Sequence, residues 1–440
     1  MSNRSAGWRR SVLLSICGLL STAASAQNLT NGQINTVSAR LAEAALQSWE
    51  LGTRSQTILE LNATAYSVFS NTFLPPPEVI PSELANDNVM APFFSIARQI
   101  VSNRTRLNNN TVGPQPLMPD GSAADPASNG ICVLIANWTG QDAGELDYEG
   151  AARDQLDYLL TRVPKTGDGA ISHRESQVQL WNDFVYMVPP FLAYYGVMTR
   201  NRTLVAESYN QIKLYRNYLR DDRQGMWQHI LLGSSGNDPG FWSTGNGWAA
   251  AGMLRVLATI RQSEYANTFR NEQRDLGNWV REIHSSIYRH LDETNIFTNY
   301  ADQPPTASGN FYDAASTALL AATVYRAALM LDQYTYLPYA ERSRSTLSNS
   351  NSTSSSNETS TFDNYEHFTS DGWLRPVVNP HSYGQEGSES AEGQAFVVQM
   401  HAAWREWVQD GSKGANTAMN LKLKKLIMGL ALGAVLVLVL

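Results

Sequence analysis

The 440-residue chain has two cysteines, Cys17 and Cys132. Cys17 falls in a stretch that reads as a leader, which leaves Cys132 alone and excludes an intramolecular disulfide in the mature chain. A core of this size holds together without one. Cys132 sits among Ile131, Val133, Leu134 and Ile135, the setting of a buried inert thiol rather than of a nucleophile. Positive charge is also short. Thirty-three Lys and Arg stand against 40 Asp and Glu, a net charge of −7, with no basic patch or stripe. That balance argues against a nucleic-acid partner. Alternating β-branched runs are nearly absent, so sheet architecture is not expected. His173, His229 and His381 are scattered and no H-E-x-x-H spacing occurs, so no dedicated metal site is implied. No phosphate-cradling G-x-x-x-x-G-K-[ST] is found either, and Gly245-Asn246-Gly247 is a weak substitute. No cofactor is expected.

What is present at the two ends speaks to location. Arg4, Arg9 and Arg10, the apolar run Ser11 to Leu20 and Ala24-Ser25-Ala26 form the pattern of a secretory signal peptide over 1–26. The run is too short for a bilayer-spanning anchor. Residues 411–440 carry small and polar residues, then Lys422, Lys424 and Lys425, then the apolar stretch Leu426 to Leu440. That order is the pattern of a GPI-anchor signal, with a plain tail anchor as the alternative. Eight N-x-S/T sequons head at Asn28, Asn62, Asn103, Asn109, Asn137, Asn201, Asn351 and Asn357. Together these features give the expectation of a secreted glycoprotein, lipid-anchored at a fungal or other eukaryotic cell surface.

The body between, 27–410, is dominated by helical periodicity. Ile34 to Trp49, Leu204 to Leu219, Gly247 to Ile260, Leu276 to Leu291, Ala314 to Leu331 and Gly393 to Val408 each read as helices. Gly-, Asn- and Asp-rich loops join them. An all-α ring of helical hairpins suits this length, with binding residues gathered on loops at one end. Residues 343–361, a run of Ser, Asn and Thr, read as a flexible low-complexity insertion.

Two stretches carry candidate chemistry. His173 to Tyr195 centres on Trp181-Asn182-Asp183, a single carboxylate followed by Phe184, Val185, Tyr186 and Met187. Such apolar surroundings are expected to raise a carboxyl pKa, and groups of that kind are enriched at active sites. Gly225 to Trp248 holds Trp227, His229, Trp242, Asn246 and Trp248 among many glycines. Flat indoles cover the apolar faces of pyranose rings, and His and Asn bond hydroxyls, so this segment reads as a sugar-binding loop. Each of these Trp could equally fill a core.

W-N-D-F-V-Y-M-V-P-P-F, G-M-W-Q-H and W-S-T-G-N-G-W resemble, in order, segments of glycoside hydrolase family 105, the unsaturated rhamnogalacturonyl hydrolases, and of the related family 88. Tyr312 to Leu320 and Ser390-Ala391-Glu392-Gly393-Gln394-Ala395-Phe396 are similar to later helices of these enzymes. The resemblance implies an (α/α)6 barrel of six helical hairpins. It also implies hydration of the C4–C5 double bond of a terminal unsaturated uronic acid in an oligosaccharide substrate. Asp183 matches the family acid/base. Trp181, Trp248 and His229 match pocket residues, His173 falls in the loop before the catalytic segment, and Asp125 matches a further Asp through its offset from Gly130.

The chain departs from the family at Thr244, where the resemblance implies an Arg that meets the substrate carboxylate. A hydroxyl cannot replace a bidentate guanidinium. His173 and Arg174 are candidates to compensate. Asp313 stands where the family more often has Glu. Two other readings stay open at this stage. One is a cell-wall glycosidase of the endo-mannanase kind using Asp221-Asp222, which lie between Arg220 and Arg223 as in a solvated turn. The other is a non-catalytic carbohydrate-binding wall protein.

Overall fold

A computed structural model of the chain describes residues 28–107, 112–350 and 361–415. The leader-like segment at 1–26, residues 351–360 of the polar tract and the residues from 416 onward lie outside the described residues.

Helix α1 (Asn31–Ala44) starts at a capping box, in which Thr30 and Gln33 each satisfy the other's backbone N–H. The periodicity predicts one helix over Ile34 to Trp49, but the chain breaks at Ala45–Gln47 and restarts as α2 (Ser48–Leu61). The cause is Glu50, whose Oε2 accepts from the backbone N–H groups of Leu46 and Gln47 at 2.9 Å each and so builds a new N-terminus. Then come α3 (Ser82–Asn86), α4 (Ala91–Leu107), α5 (Gly130–Trp138) and α6 (Tyr148–Thr161). The short α7 (Phe184–Met187) leads into α8 (Pro189–Met198), followed by α9 (Arg202–Leu219). Helices α10 (Ser243–Arg261), α11 (Arg270–Ile287), α12 (Ala314–Leu331), α13 (Leu337–Leu347) and α14 (Ala391–Gln409) complete the body.

Six of these close a ring. Helix α2 packs on α5, α5 on α8, α8 on α10, α10 on α12, α12 on α14, and α14 back on α2. Outside it, α1 lies against α14, α4 and α6 against α5, α9 against α8, α11 against α10 and α13 against α12. This is the expected (α/α)6 barrel. An inner helix meets protein on all sides and is therefore apolar all round, whereas an outer helix is striped. Helix α12 shows the point. It is apolar and long enough to cross a membrane by composition, yet 83% of it is buried inside the ring. The described strands are short: β1 (Leu180–Trp181) pairs antiparallel with β2 (Ile230–Leu231), and β3 (Val377–Asn379) with β4 (Ser382–Gly387).

The expected low-complexity boundary at 343 is corrected. Residues 343–347 form the last turns of α13: Leu347 is buried, Ser343 Oγ donates to the Asn295 carbonyl at 2.8 Å, and buried Arg344 lies over Trp404. Ser-rich composition concealed a helix anchored by two apolar residues, Leu337 and Leu347. Cys132 is buried as expected, and burial pushes its thiol up to about 12.

The ring also holds a buried charge. Arg326 of α12 pairs with Glu60 of α2 at 2.9 Å and with Glu406 of α14. Removing the cation strands Glu60 in the interior, so Arg326→Met is expected to lower unfolding stability by about 3–5 kcal/mol. Urea unfolding checks this, and a loss below about 1 kcal/mol would show the triad to be dispensable.

Candidate functional site

The ring delivers one set of helix starts to one mouth. Trp49 stands in the first turn of α2, Asp125 just ahead of α5, Asp183 just ahead of α7, Trp242 and Trp248 at the start of α10, and Glu392 in the first turn of α14. They line a cavity of about 270 Å³ together with Asp120, His173, Arg174, His229 and Tyr383. Broader clefts exist, including one of about 660 Å³ rimmed by Arg261, Arg270, Arg274 and Arg281. Among the described residues, only the smaller cavity brings carboxyls, imidazoles and indoles together.

The two candidate stretches are tied to each other by backbone. Trp181 pairs with Ile230, and the Asn182 N–H donates to the His229 carbonyl at 3.0 Å. Gly245 lies so close to Asn182 that a Cβ there would fall 2.1 Å from its side chain. Any larger residue at 245 would push the Asp183 loop away.

Asp183 and His229 face each other as a result, with Asp183 Oδ2 3.5 Å from His229 Nε2. Behind the imidazole, Nδ1 meets Asp238 Oδ2 at 2.9 Å, and Tyr300 donates its hydroxyl to the same oxygen at 2.7 Å. Rings enclose His229: Trp242 at 4.4 Å, Tyr383 edge-on at 4.5 Å and Trp181 at 5.4 Å. Burial disfavours its charged form, but Asp183 and Asp238 outweigh burial and raise its pKa.

His173 behaves in the opposite way. It stacks flat on Trp181 at 4.8 Å, and burial pushes its pKa down to about 3. It is therefore neutral and cannot supply the positive charge that Thr244 lacks. Its Nε2 lies 3.2 Å from Ser122 Oγ and 3.7 Å from Asp125 Oδ1. Burial, then the charges of Asp120 and Asp183, hold the Asp125 carboxyl well above the usual carboxylate range. Arg174 is the cation in the wall. Its guanidinium lies 5.8 Å over the Trp181 ring and enters no ion pair among the described residues.

A model of Glycosyl Hydrolase Family 88 matches residues 105–365, more than half of the chain. The chain belongs to that family. It is also similar to the unsaturated rhamnogalacturonyl hydrolase YesR of Bacillus subtilis, 21% identical over 228 residues. That match takes in 49% of this chain and spans 61% of the relative's length. The fold is similar to a crystal structure from Klebsiella pneumoniae described as a possible GH105 member (TM-score 0.60, 15% identity, 92% of this chain and 96% of that one). It is likewise similar to the unsaturated glucuronyl hydrolase of Bacillus sp. GL1 (TM-score 0.53, 11% identity, 85% and 95%).

Within this Family 88 chain, Asp183, Trp181, His173, His229, Trp242, Trp248 and Asp125 all reach the cavity. Two expected binding residues do not. Trp227 is fully buried beside the mouth, and Asn246 is spent on backbone, accepting from the Trp227 N–H at 2.9 Å and donating to the Trp227 and Trp242 carbonyls. Both shape the loop that presents His229. Thr244 points away as well, its hydroxyl donating to Asp313 Oδ2 at 3.2 Å. Asp313 is the N-cap of α12 and also accepts from the Val378 N–H at 3.0 Å, so it serves the frame. The Asp221-Asp222 pair lies outside the cavity. Asp221 Oδ1 caps a turn at the Arg223 and Gln224 N–H groups, and Asp222, 95% exposed, pairs with Arg220. That removes the residues on which the mannanase-like reading rested.

The sequence reading did not assign Trp49, Asp120, Tyr383 or Glu392 to the site. Of these only Glu392 carried a signal, in its S-A-E-G-Q-A-F segment.

The His229 pKa is checkable by NMR. Asp238→Asn is expected to lower it, and an unchanged titration would contradict the pairing. Because the folded value is raised, the protonated imidazole's contribution to stability is complete below the ordinary 6.5 and is lost as pH rises through the folded value. Melting temperature above pH 6.5 should accordingly fall more steeply in the wild type than in His229→Gln.

Proposed function

We propose that the protein releases a terminal unsaturated uronic acid from an oligosaccharide by adding water across its C4–C5 double bond. The observation that carries this reading is the Asp183–His229–Asp238 alignment inside an indole-lined cavity that also holds one unpaired guanidinium. The names of YesR and of the Bacillus glucuronyl hydrolase supply the reaction class. Asp183 protonates C4 as the π pair moves, and a carboxylate oxygen takes the proton of the water that bonds to C5. The resulting hemiketal opens to a C5 ketone, and the hemiacetal left at C1 collapses to an aldehyde and frees the aglycone as an alcohol. One water is consumed and no redox change occurs. His229, held by Asp238, faces Asp183 through these transfers, with Trp181 and Trp242 packed around its ring.

Arg174 then takes the role of the carboxylate receptor that Thr244 cannot fill. The starts of α2, α10 and α14 at the mouth add a weak favourable field for an anion. Two finer assignments belong to the same proposal. Rhamnogalacturonan-derived oligosaccharides are the substrate, supported by the similarity to YesR. The enzyme is secreted and lipid-anchored at the cell surface, supported by the leader-like and anchor-like segments and by the exposed sequon residues Asn62, Asn137 and Asn201.

The test is incubation with lyase-generated pectin oligosaccharides, following the double-bond ultraviolet absorbance. Wild type should abolish it, and Asp183→Asn should slow the loss by about 10²–10⁴-fold. Absorbance that persists with wild type ends the proposal, while sugar binding without turnover would favour the non-catalytic reading. Arg174→Gln is expected to raise KM about tenfold or more while Arg174→Lys loses less. Equal KM in all three would remove Arg174 from carboxylate recognition.

A further inference from the structure

One carboxyl in the cavity wall has no part in the chemistry above. Glu392 is 4% exposed and lines the cavity from the first turn of α14. Trp49 Nε1 donates to its Oε1 at 2.7 Å. Its Oε2 is buried and has no hydrogen-bond partner among the described residues. An unsatisfied buried carboxyl oxygen is costly, and native proteins leave few of them without a reason.

The surroundings favour the protonated form. Glu50 faces Glu392 from α2, Asp183 from the loop before α7, and Asp313 from the start of α12. On the turn between β3 and β4, His381 lies edge-on to Trp49 at 5.8 Å, with its Nε2 3.9 Å from Glu50 Oε1. No cation pairs with Glu392 among the described residues. Burial and then these carboxylates hold its acid well above the usual carboxylate range, which favours the protonated form. Oε1 accepts from the indole, which places the proton on Oε2, the oxygen left free.

We infer that Glu392 is a substrate-binding carboxylic acid, fixed by Trp49 through Oε1 and donating its Oε2 hydroxyl to an acceptor oxygen of the bound sugar. The inference rests on the saccharide reading of the cavity and adds to it a neutral donor besides Arg174's charged one. A neutral acid suits an anionic sugar, because it donates without the repulsion that a carboxylate would bring.

The experiment compares full-length wild type, Glu392→Gln and Glu392→Ala on an unsaturated uronosyl disaccharide across pH. The amide keeps both a donor and an acceptor for Trp49, so Gln is expected to raise KM by no more than about threefold, and Ala by about tenfold or more. His229 loses its proton in every variant, so wild-type kcat/KM should show a further fall at alkaline pH, as Glu392 ionises, that is missing in Gln. A Gln variant as impaired in KM as Ala, or one whose alkaline profile matches wild type, overturns the inference. A wild type that does not turn over the disaccharide defeats the hydrolase reading instead. Glucuronic acid binding, followed by tryptophan fluorescence, then decides for Glu392: weaker binding in Ala with Gln near wild type supports it, and equal binding by all three overturns it.

Discussion

The site depends on one short piece of β-structure in a helical protein. Two residues of β1 pair with two of β2, and the next backbone bond runs from the Asn182 N–H to the His229 carbonyl. Without that ladder, a loop ahead of α7 and a loop ahead of α10 would be free to move independently. With it, Asp183 and His229 stand 3.5 Å apart on a fixed frame. The close approach of Gly245 to Asn182 locks the frame to the first turn of α10, and that of Gly252 to the Val185 carbonyl locks it to the next turns. Preorganisation of this kind is what lets a catalytic group act without first being ordered.

The barrel supplies the rest through topology. The starts of α2, α10 and α14 and the segments ahead of α5 and α7 meet at one rim, so residues from 49 to 392 in the sequence converge on one cavity. Close packing of carboxyls there has an electrostatic consequence. Burial first, and then in part the charge of Asp183, raise the carboxyl pKa values of Asp125 and Glu392, while against burial the same charge helps to raise that of His229. Groups of one chemical type are thereby sorted into different roles by their neighbours. His173 and His229, two imidazoles touching the same Trp181 ring, are sorted likewise, one neutral and one favouring its cation.

Much of this was legible in the sequence where the signal was local. Helical periodicity identified the helix over Ala314–Leu331 to the residue, and the W-N-D segment singled out Trp181 and Asp183. Cys132 was recognisable from its apolar neighbours. Direction was less legible. Trp227 and Trp242 share a Gly-rich stretch of similar composition, yet one is swallowed by the core and the other lines the cavity, because β2 and the turn after it decide which side each faces. Asn246 looked like a hydroxyl binder and instead satisfies backbone groups of the same loop. Trp49 and Tyr383 were missed because no short window of sequence carries their place in the site: Trp49 enters it by ring closure, when α14 meets α2, and Tyr383 enters from β4. The break at Ala45–Gln47 was hidden for a related reason: Glu50 makes it by a side-chain bond, with no Gly or Pro to mark it.

The central claim is that Asp183 and His229 work as one unit, joined by the β1–β2 ladder. A double-mutant cycle on kcat/KM tests it most directly, using Asp183→Asn, His229→Gln and the pair on unsaturated uronosyl oligosaccharides. If they act together, the double variant should be no slower than the worse single variant by more than about threefold. Losses that multiply across the two positions would show that the residues contribute independently and would contradict the account.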